Sequence, residues 1–73
     1  MIKTTITIER KYTFEGTDLA KERERLGLTQ SQLAGKSGIA QQHISGYEAP
    51  GPRTIRETTY YALIKAGIDF NGI

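Results

Sequence analysis

The chain has 73 residues, carries 10 Lys or Arg against 8 Asp or Glu, and contains no cysteine and a single histidine. This length makes one small domain with a modest core, and the lack of cysteine excludes disulfides and thiolate zinc sites, as is typical of a reducing cytoplasm. No apolar run is long enough to cross a membrane and no signal-peptide pattern opens the chain, so we expect a cytoplasmic protein.

The first predicted element is β-structure, because residues 2–14 (IKTTITIERKYTF) alternate with period two and are rich in β-branched and aromatic side chains. Two arrangements are open. A hairpin with its loop at residues 9–11 would place Ile6 opposite Phe14, although the loop lacks the Gly or Asn that such turns favour. Alternatively, the strand pairs with its copy in a second subunit, which makes segment 1–16 a candidate dimer contact.

Residues 17–73 then follow a helical pattern. Thr17 is the expected N-cap of the first helix, which ends at Gly27, and a Thr29-x-x-Gln32 capping box opens the second. Gly38 supplies the next turn. The last two predicted helices span roughly Ala40 to Glu48 and, after the APGPR break, about Thr54 to Ala66.

Two short helices joined by a glycine-containing turn are typical of a helix-turn-helix. The pattern is carried, without gaps, by Arg23, Leu26, Gly27, Leu28, Gln30, Leu33, Ala34, Gly38, Gln41, Gln42, Ile44 and Glu48. On these positions residues 17–70 resemble the Cro/C1-type (lambda-repressor-like) family of DNA-binding proteins. The resemblance implies a mostly α fold, a lambda-repressor-like domain of four to five helices, to which this chain adds an N-terminal β-strand or β-hairpin.

The third predicted helix carries the candidate base-reading residues. Helical spacing puts Gln41, Gln42 and Ser45 on one face with Gly46, and a glutamine amide can both donate to and accept from adenine in the major groove. The resemblance implies that Gln30 braces Gln41 and touches phosphate while Gln42 reads the neighbouring pair. Gly46 departs from the resembling repressors, which have a long polar side chain there, so specificity should loosen at one base step or the helix should sit deeper.

Further candidates for phosphate contact are cationic. Arg53 and Arg56 would open the predicted fourth helix, where they oppose its dipole, and this placement favours a nearby phosphate over a merely solvated surface. Lys36 is a weaker candidate of the same kind. His43 lies beside the reading face, where we expect it either to contact phosphate or simply to be exposed, and its motif contains no partner for metal binding or catalysis.

Arg23 and Glu48 are expected to be structural, since the resemblance implies an ion pair between the first helix and the end of the recognition helix. The leading hypothesis is a sequence-specific regulator of transcription, a repressor, that binds double-stranded DNA as a homodimer. The dimer contact would be the first segment, or the last helix and tail with Phe70 and Ile73. The alternative is an antitoxin-like protein whose N-terminal strand pairs with a toxin or other partner. The sequence contains no nucleophile–base pair, glycine-rich phosphate loop or metal-ligand cluster, so we expect neither an enzyme nor a metal or other cofactor.

Overall fold

Four helices pack against a four-stranded sheet in the computed structural model, which describes residues 2–6 and 10–72, the last two by their backbone alone. In chain order the elements are β1 Ile2–Ile6, β2 Lys11–Glu15, α1 Gly16–Arg25, α2 Gln30–Ser37, α3 Gln41–Tyr47, β3 Pro52–Arg56, α4 Glu57–Lys65 and β4 Phe70–Gly72. The four helices agree with the sequence analysis. The sheet makes "mostly α" only a rough description, because strands β3 and β4 were not predicted.

The N-terminal segment folds back on itself as a hairpin rather than extending as one strand between subunits. β1 and β2 pair antiparallel, with Ile6 opposite Tyr12, so the predicted pairing of Ile6 with Phe14 was wrong by two residues. The error preserves the face of every side chain, because faces alternate with period two. Arg10 takes a left-handed φ of 56°, the conformation for which the sequence analysis sought Gly or Asn. Residues 7–9, which include part of the predicted loop, lie outside the described residues.

Strand β3 covers the end of the predicted APGPR break and the first residues of the predicted last helix. It pairs antiparallel with β2, setting Ile55 opposite Tyr12 and Thr54 opposite Thr13, whose hydroxyl oxygens lie 3.1 Å apart. Ile55 is buried in this pairing, and a β-branched side chain suits such a position in a strand. The fourth helix therefore begins only at Glu57.

Strand β4 joins the end of the described chain to its beginning. Its residues Phe70–Gly72 pair in parallel with Ile2–Thr4, giving the sheet order β3-β2-β1-β4. The amide of Ile2 also donates to the carbonyl of Asp69 at 2.7 Å. No strand was predicted here, and Phe70 was named as part of a candidate dimer contact.

The core lies between the sheet and the helices. Its buried apolar residues are Ile2, Tyr12, Phe14, Leu19, Leu33, Ile44, Ile55, Leu63 and Ile68. Aromatic rings extend it on one side, where Tyr12 stacks on Tyr60 at a centroid distance of 3.7 Å and Phe70 meets Phe14 edge-on. Burial of these side chains is the main favourable contribution to folding in so small a domain.

The helix caps differ from the sequence prediction at α1 and agree with it at α2. Glu15, not Thr17, caps α1: its carboxylate accepts from the amides of Thr17 and Gly51, and these backbone hydrogen bonds lower the pKa of Glu15. At α2 both hydrogen bonds of the Thr29–Gln32 capping box are present. Because Glu15 binds both the start of α1 and Gly51, it also fixes the loop that follows α3.

Glu22 is a buried acid that ties α1 to the start of β4. Its carboxylate accepts from Arg25 at 2.6 and 2.9 Å and from the backbone amide of Asp69 at 3.0 Å. The side chain is only 2% exposed. The pKa of Glu22 is lowered to about 2, and the hydrogen-bonded Arg25 guanidinium is the largest cause, acting against the opposing effect of burial.

We expect this acid to make the domain labile at low pH. The pKa of Glu22 is about 2 in the folded chain and ordinarily 4.5, so the unfolded chain binds more protons between these values. The contribution of Glu22 is therefore complete above pH 4.5 and is lost as the pH falls toward 2, on the order of 2–3 kcal/mol. Urea unfolding measured across this range should show a marked loss of stability in the wild type and a flatter profile in Glu22→Gln. Glu24→Gln, at an exposed position of the same helix, should keep the wild-type profile, and equal profiles in all three proteins would contradict the assignment.

Candidate nucleic-acid interface

Helix α3 presents a polar face to solvent and one apolar anchor to the core. Ile44 is fully buried and Tyr47 is half-buried, whereas Gln41, Gln42 and His43 are exposed. The exposed face also includes Ser45 and Gly46. The structure therefore brings the three predicted base-reading residues, Gln41, Gln42 and Ser45, together on one accessible surface.

An ion pair fixes the end of α3 against α1. The Arg23 Nε and Nη2 atoms donate to the two carboxylate oxygens of Glu48 at 2.7 and 3.1 Å, and the Nη1 atom donates to the carbonyl of Leu28 at 2.7 Å. The side chains are 13% and 5% exposed, so water screens the pair poorly. Hydrogen bonding to Glu48 raises the pKa of Arg23. The predicted partners thus form a bidentate ion pair, and Arg23 also fixes the turn between α1 and α2 through its hydrogen bond to Leu28.

Gln30 joins this ion pair instead of bracing Gln41. Its amide nitrogen donates to Glu48 Oε1 at 3.0 Å, and no hydrogen bond joins Gln30 to Gln41 among the residues that the structure describes. The predicted bracing of Gln41 is therefore not what the structure shows. The physical reason is charge, since a carboxylate is a stronger acceptor than a neutral amide.

The predicted cationic contacts are spread over different elements. Arg53 lies on β3 and does not open the fourth helix, so its predicted position was wrong. Arg56 ends β3 and is the N-cap residue of α4, so it does stand at the start of that helix, as predicted. Arg53 donates to the carbonyls of Ala49 and Pro50, which holds its guanidinium beside the loop after α3. Arg56 is exposed and lies opposite Lys11 across the sheet. Lys36 is exposed in the last turn of α2.

A groove of about 430 Å³ separates α3 from β3. It is lined by Gln42, His43, Gly46, Tyr47, Pro52, Arg53 and Thr54. The contribution of Pro52 and Thr54 was not predicted, because the sequence of this segment was interpreted as a loop running into a helix. The signal that could have revealed β3 is the alternation in PRTIR, where Ile55 faces inward while Thr54 and Arg56 are exposed.

Two general features of the described residues bear on other functions. No helix in the described ranges is both long and apolar enough to span a bilayer. Within the same ranges, no group of three or more His, Cys, Asp or Glu side chains is placed to hold a metal ion.

Comparison with known proteins supports the interpretation of α2 and α3. The family described as helix-turn-helix matches residues 19–66, which is most of the chain and includes all four helices except the first turn of α1. No curated protein and no solved structure matches the chain significantly. The match, together with the α2–turn–α3 geometry and its exposed polar face, shows that the chain belongs to the Cro/C1-type helix-turn-helix family of DNA-binding regulators.

Proposed function

We propose that this protein binds double-stranded DNA sequence-specifically, with α3 in the major groove, and represses transcription in the cytoplasm by occupying its site. The observation that carries the proposal is the combination of an accessible amide face with a rigid support. Gln41 and Gln42 are exposed, while Ile44 and Glu48 on the same stretch are buried. A recognition helix needs both, because base contacts discriminate only if the helix is held in a fixed position.

The proposed division of roles follows the position of each side chain. Gln41 and Gln42 read base edges, and Ser45 adds a short contact one turn later. His43, Lys36, Arg53 and Arg56 are proposed to contact phosphates. Phosphate contacts set register and salt dependence but carry little sequence information. Gln30 can contact a phosphate only through the part of its amide group that is not hydrogen-bonded to Glu48.

We propose a homodimer as the binding form, because one short helix reads too few base pairs and two half-sites about 34 Å apart supply the missing affinity. Segment 1–16 and the last helix remain the candidate contacts. On α4, Tyr61 is 56% exposed and Ile64 is 40% exposed. Phe70, which was considered for this role, packs against Phe14 and Tyr60 inside the fold, and Ile73 lies outside the described residues.

A protein-interaction role is the second candidate, and the observation that favours it is the sheet order. β3 and β4 form the two edges of the sheet, and an edge strand is a template for a strand from another chain. β1 lies between β2 and β4, so the partner strand of an antitoxin-like complex would add at an edge and not at the N-terminal strand. Light scattering of the purified chain and selection from a random DNA library together distinguish the two candidate functions. A chain that is monomeric and enriches no DNA would favour protein interaction.

The glutamines are expected to carry sequence preference and not overall affinity for DNA. Duplexes selected from a random library by the wild type should share a motif with two half-sites. In the Gln41→Ala/Gln42→Ala variant each lost bidentate contact should cost about 1–3 kcal/mol of discrimination, while salt-sensitive nonspecific binding persists. Fluorescence anisotropy with the selected duplex and a scrambled duplex measures both quantities. A variant that keeps the wild-type preference would contradict the base-reading role.

A further inference from the structure

The groove between α3 and β3 lies next to the face that is proposed to read bases. Gln42 belongs both to that face and to the groove wall, and Gly46 lies one helical turn further along the same wall. The opposite wall is formed by Pro52, Arg53 and Thr54 of β3. A DNA strand that runs along the edge of the major groove beside α3 would therefore meet this groove before it meets the rest of the sheet.

Gly46 is not required by the backbone of α3. It is a helical residue without a positive φ, and apart from its chain neighbours and the backbone of its own helix no heavy atom lies within 4 Å of the position that a Cβ atom would take. Glycine is a poor helix former, so alanine would fit the helix and strengthen it. The absence of a side chain makes the groove deeper at this point, because a methyl group at residue 46 would project into the space between the two walls.

Arg53 provides a fixed positive charge on the opposite wall. Its guanidinium is held by the carbonyls of Ala49 and Pro50, and the remaining N–H groups of its planar fork suit an oxyanion. Glu15 is the nearby acid, and its carboxylate is engaged by the amides of Thr17 and Gly51. The other groove residues are neutral amide, hydroxyl, ring or backbone groups, apart from His43.

From these observations we infer that the groove seats one phosphodiester of the DNA strand beside α3, and that Gly46 sets how deeply this phosphate enters. The inference rests on the proposed function and adds to it a site and a residue. Arg53 and Thr54 bind the phosphate oxygens from the strand side, while Gly46 allows the sugar-phosphate chain to approach the helix backbone. The resembling repressors have a long polar side chain at the position of Gly46. With glycine there, this chain would lose a contact to a base and gain a contact to the DNA sugar-phosphate backbone.

The test is Gly46→Ala with Gly35→Ala as its matched control. Both glycines are exposed and helical, and at both the position of a Cβ atom is free of contacts, but Gly35 lies on α2 outside the groove. Each substitution should raise Tm, by up to about 4–8 °C, because alanine favours the helix. Only Gly46→Ala should weaken binding to the duplex selected by the wild type, by about tenfold.

A salt titration and a modified duplex identify the lost contact. Loss of one phosphate contact should reduce the slope of log K against log salt by about 0.9 in Gly46→Ala, with the sequence preference unchanged. A duplex with a neutral methylphosphonate at the seated position should weaken binding of the wild type but not that of Gly46→Ala.

Each remaining outcome overturns the inference. Unchanged affinity in Gly46→Ala, equal weakening in both variants, or a changed base preference with an unchanged salt slope would each exclude a phosphate seat set by Gly46. A wild-type chain that binds no duplex would instead remove the proposed function itself, so the two failures are distinguishable.

Discussion

Replacing Glu48 with glutamine is expected to lower the free energy of unfolding by about 3–5 kcal/mol, because it leaves the Arg23 guanidinium buried beside a neutral amide. The Arg23 side chain is 13% exposed, so water can solvate the uncompensated charge only in part. Gln30 would also lose its charged acceptor, which destabilises the start of α2. Folded domains are typically stable by about 5–15 kcal/mol, and a small one has little to spare, so a large unfolded fraction is expected at physiological temperature.

Urea denaturation followed by circular dichroism measures this loss. Glu24→Gln changes an exposed acid on α1, the helix of Arg23, and serves as the control; it should change stability by less than about 0.5 kcal/mol. The double variant Arg23→Met/Glu48→Met should recover much of the stability, because removing both charges is far less costly than removing one. If Glu48→Gln and Glu24→Gln lose the same amount, the ion pair does not support α3 as argued.

Alanine at position 16 is expected to destabilise the domain by about 3 kcal/mol or more, because its methyl group would clash with backbone atoms, which cannot rotate away as a flexible side chain could. Gly16 is buried at the start of α1, and its amide donates to the carbonyl of Gly51 at 3.0 Å. A Cβ atom there would lie 1.8 Å from the carbonyl oxygen of Ala49 and 2.8 Å from that of Tyr47. The chain must therefore move α1 away from the end of α3 or displace the loop that holds Arg53.

Thermal unfolding of Gly16→Ala should show a large fall in Tm, and any folded fraction should bind the selected duplex more weakly because the loop after α3 has shifted. Gly35→Ala is again the appropriate comparison, since the same chemical change in open space should be stabilising. A Gly16→Ala protein with the Tm of the wild type would mean that α1 and the loop do not approach as closely as described.

The helix-turn-helix could be predicted because its determinants are local. The Thr29–Gln32 capping box and the left-handed Gly38 define the ends of α2 within a few residues of the chain. Ile44 is the apolar residue on an otherwise polar stretch, which identifies the buried side of α3. Such signals need no knowledge of distant partners, and for that reason the exposed glutamine face was also identified correctly.

Strands β3 and β4 could not be predicted in the same way, because their pairings join segments far apart in the sequence. The alternation in PRTIR is only a few residues long, and what fixes β3 as a strand is its pairing with β2, where Ile55 is buried and the Thr54 hydroxyl meets that of Thr13. β4 has three residues, too few for any period to be visible. The contact of Gln30 with Glu48 was missed for a different reason: a glutamine near two acceptors chooses between them by their charge and distance, which the sequence does not contain.

The parallel pairing of β1 with β4 has a consequence for how fast this domain folds. Ile2 pairs with Phe70, so almost the entire described chain must be closed into a loop before that ladder forms. Closure of a long loop carries an entropy cost that local helix formation does not, and contacts of this kind slow folding. The helix-turn-helix can therefore form early from neighbouring residues, while the amides of β1 and β4 become protected from hydrogen exchange only in the last step.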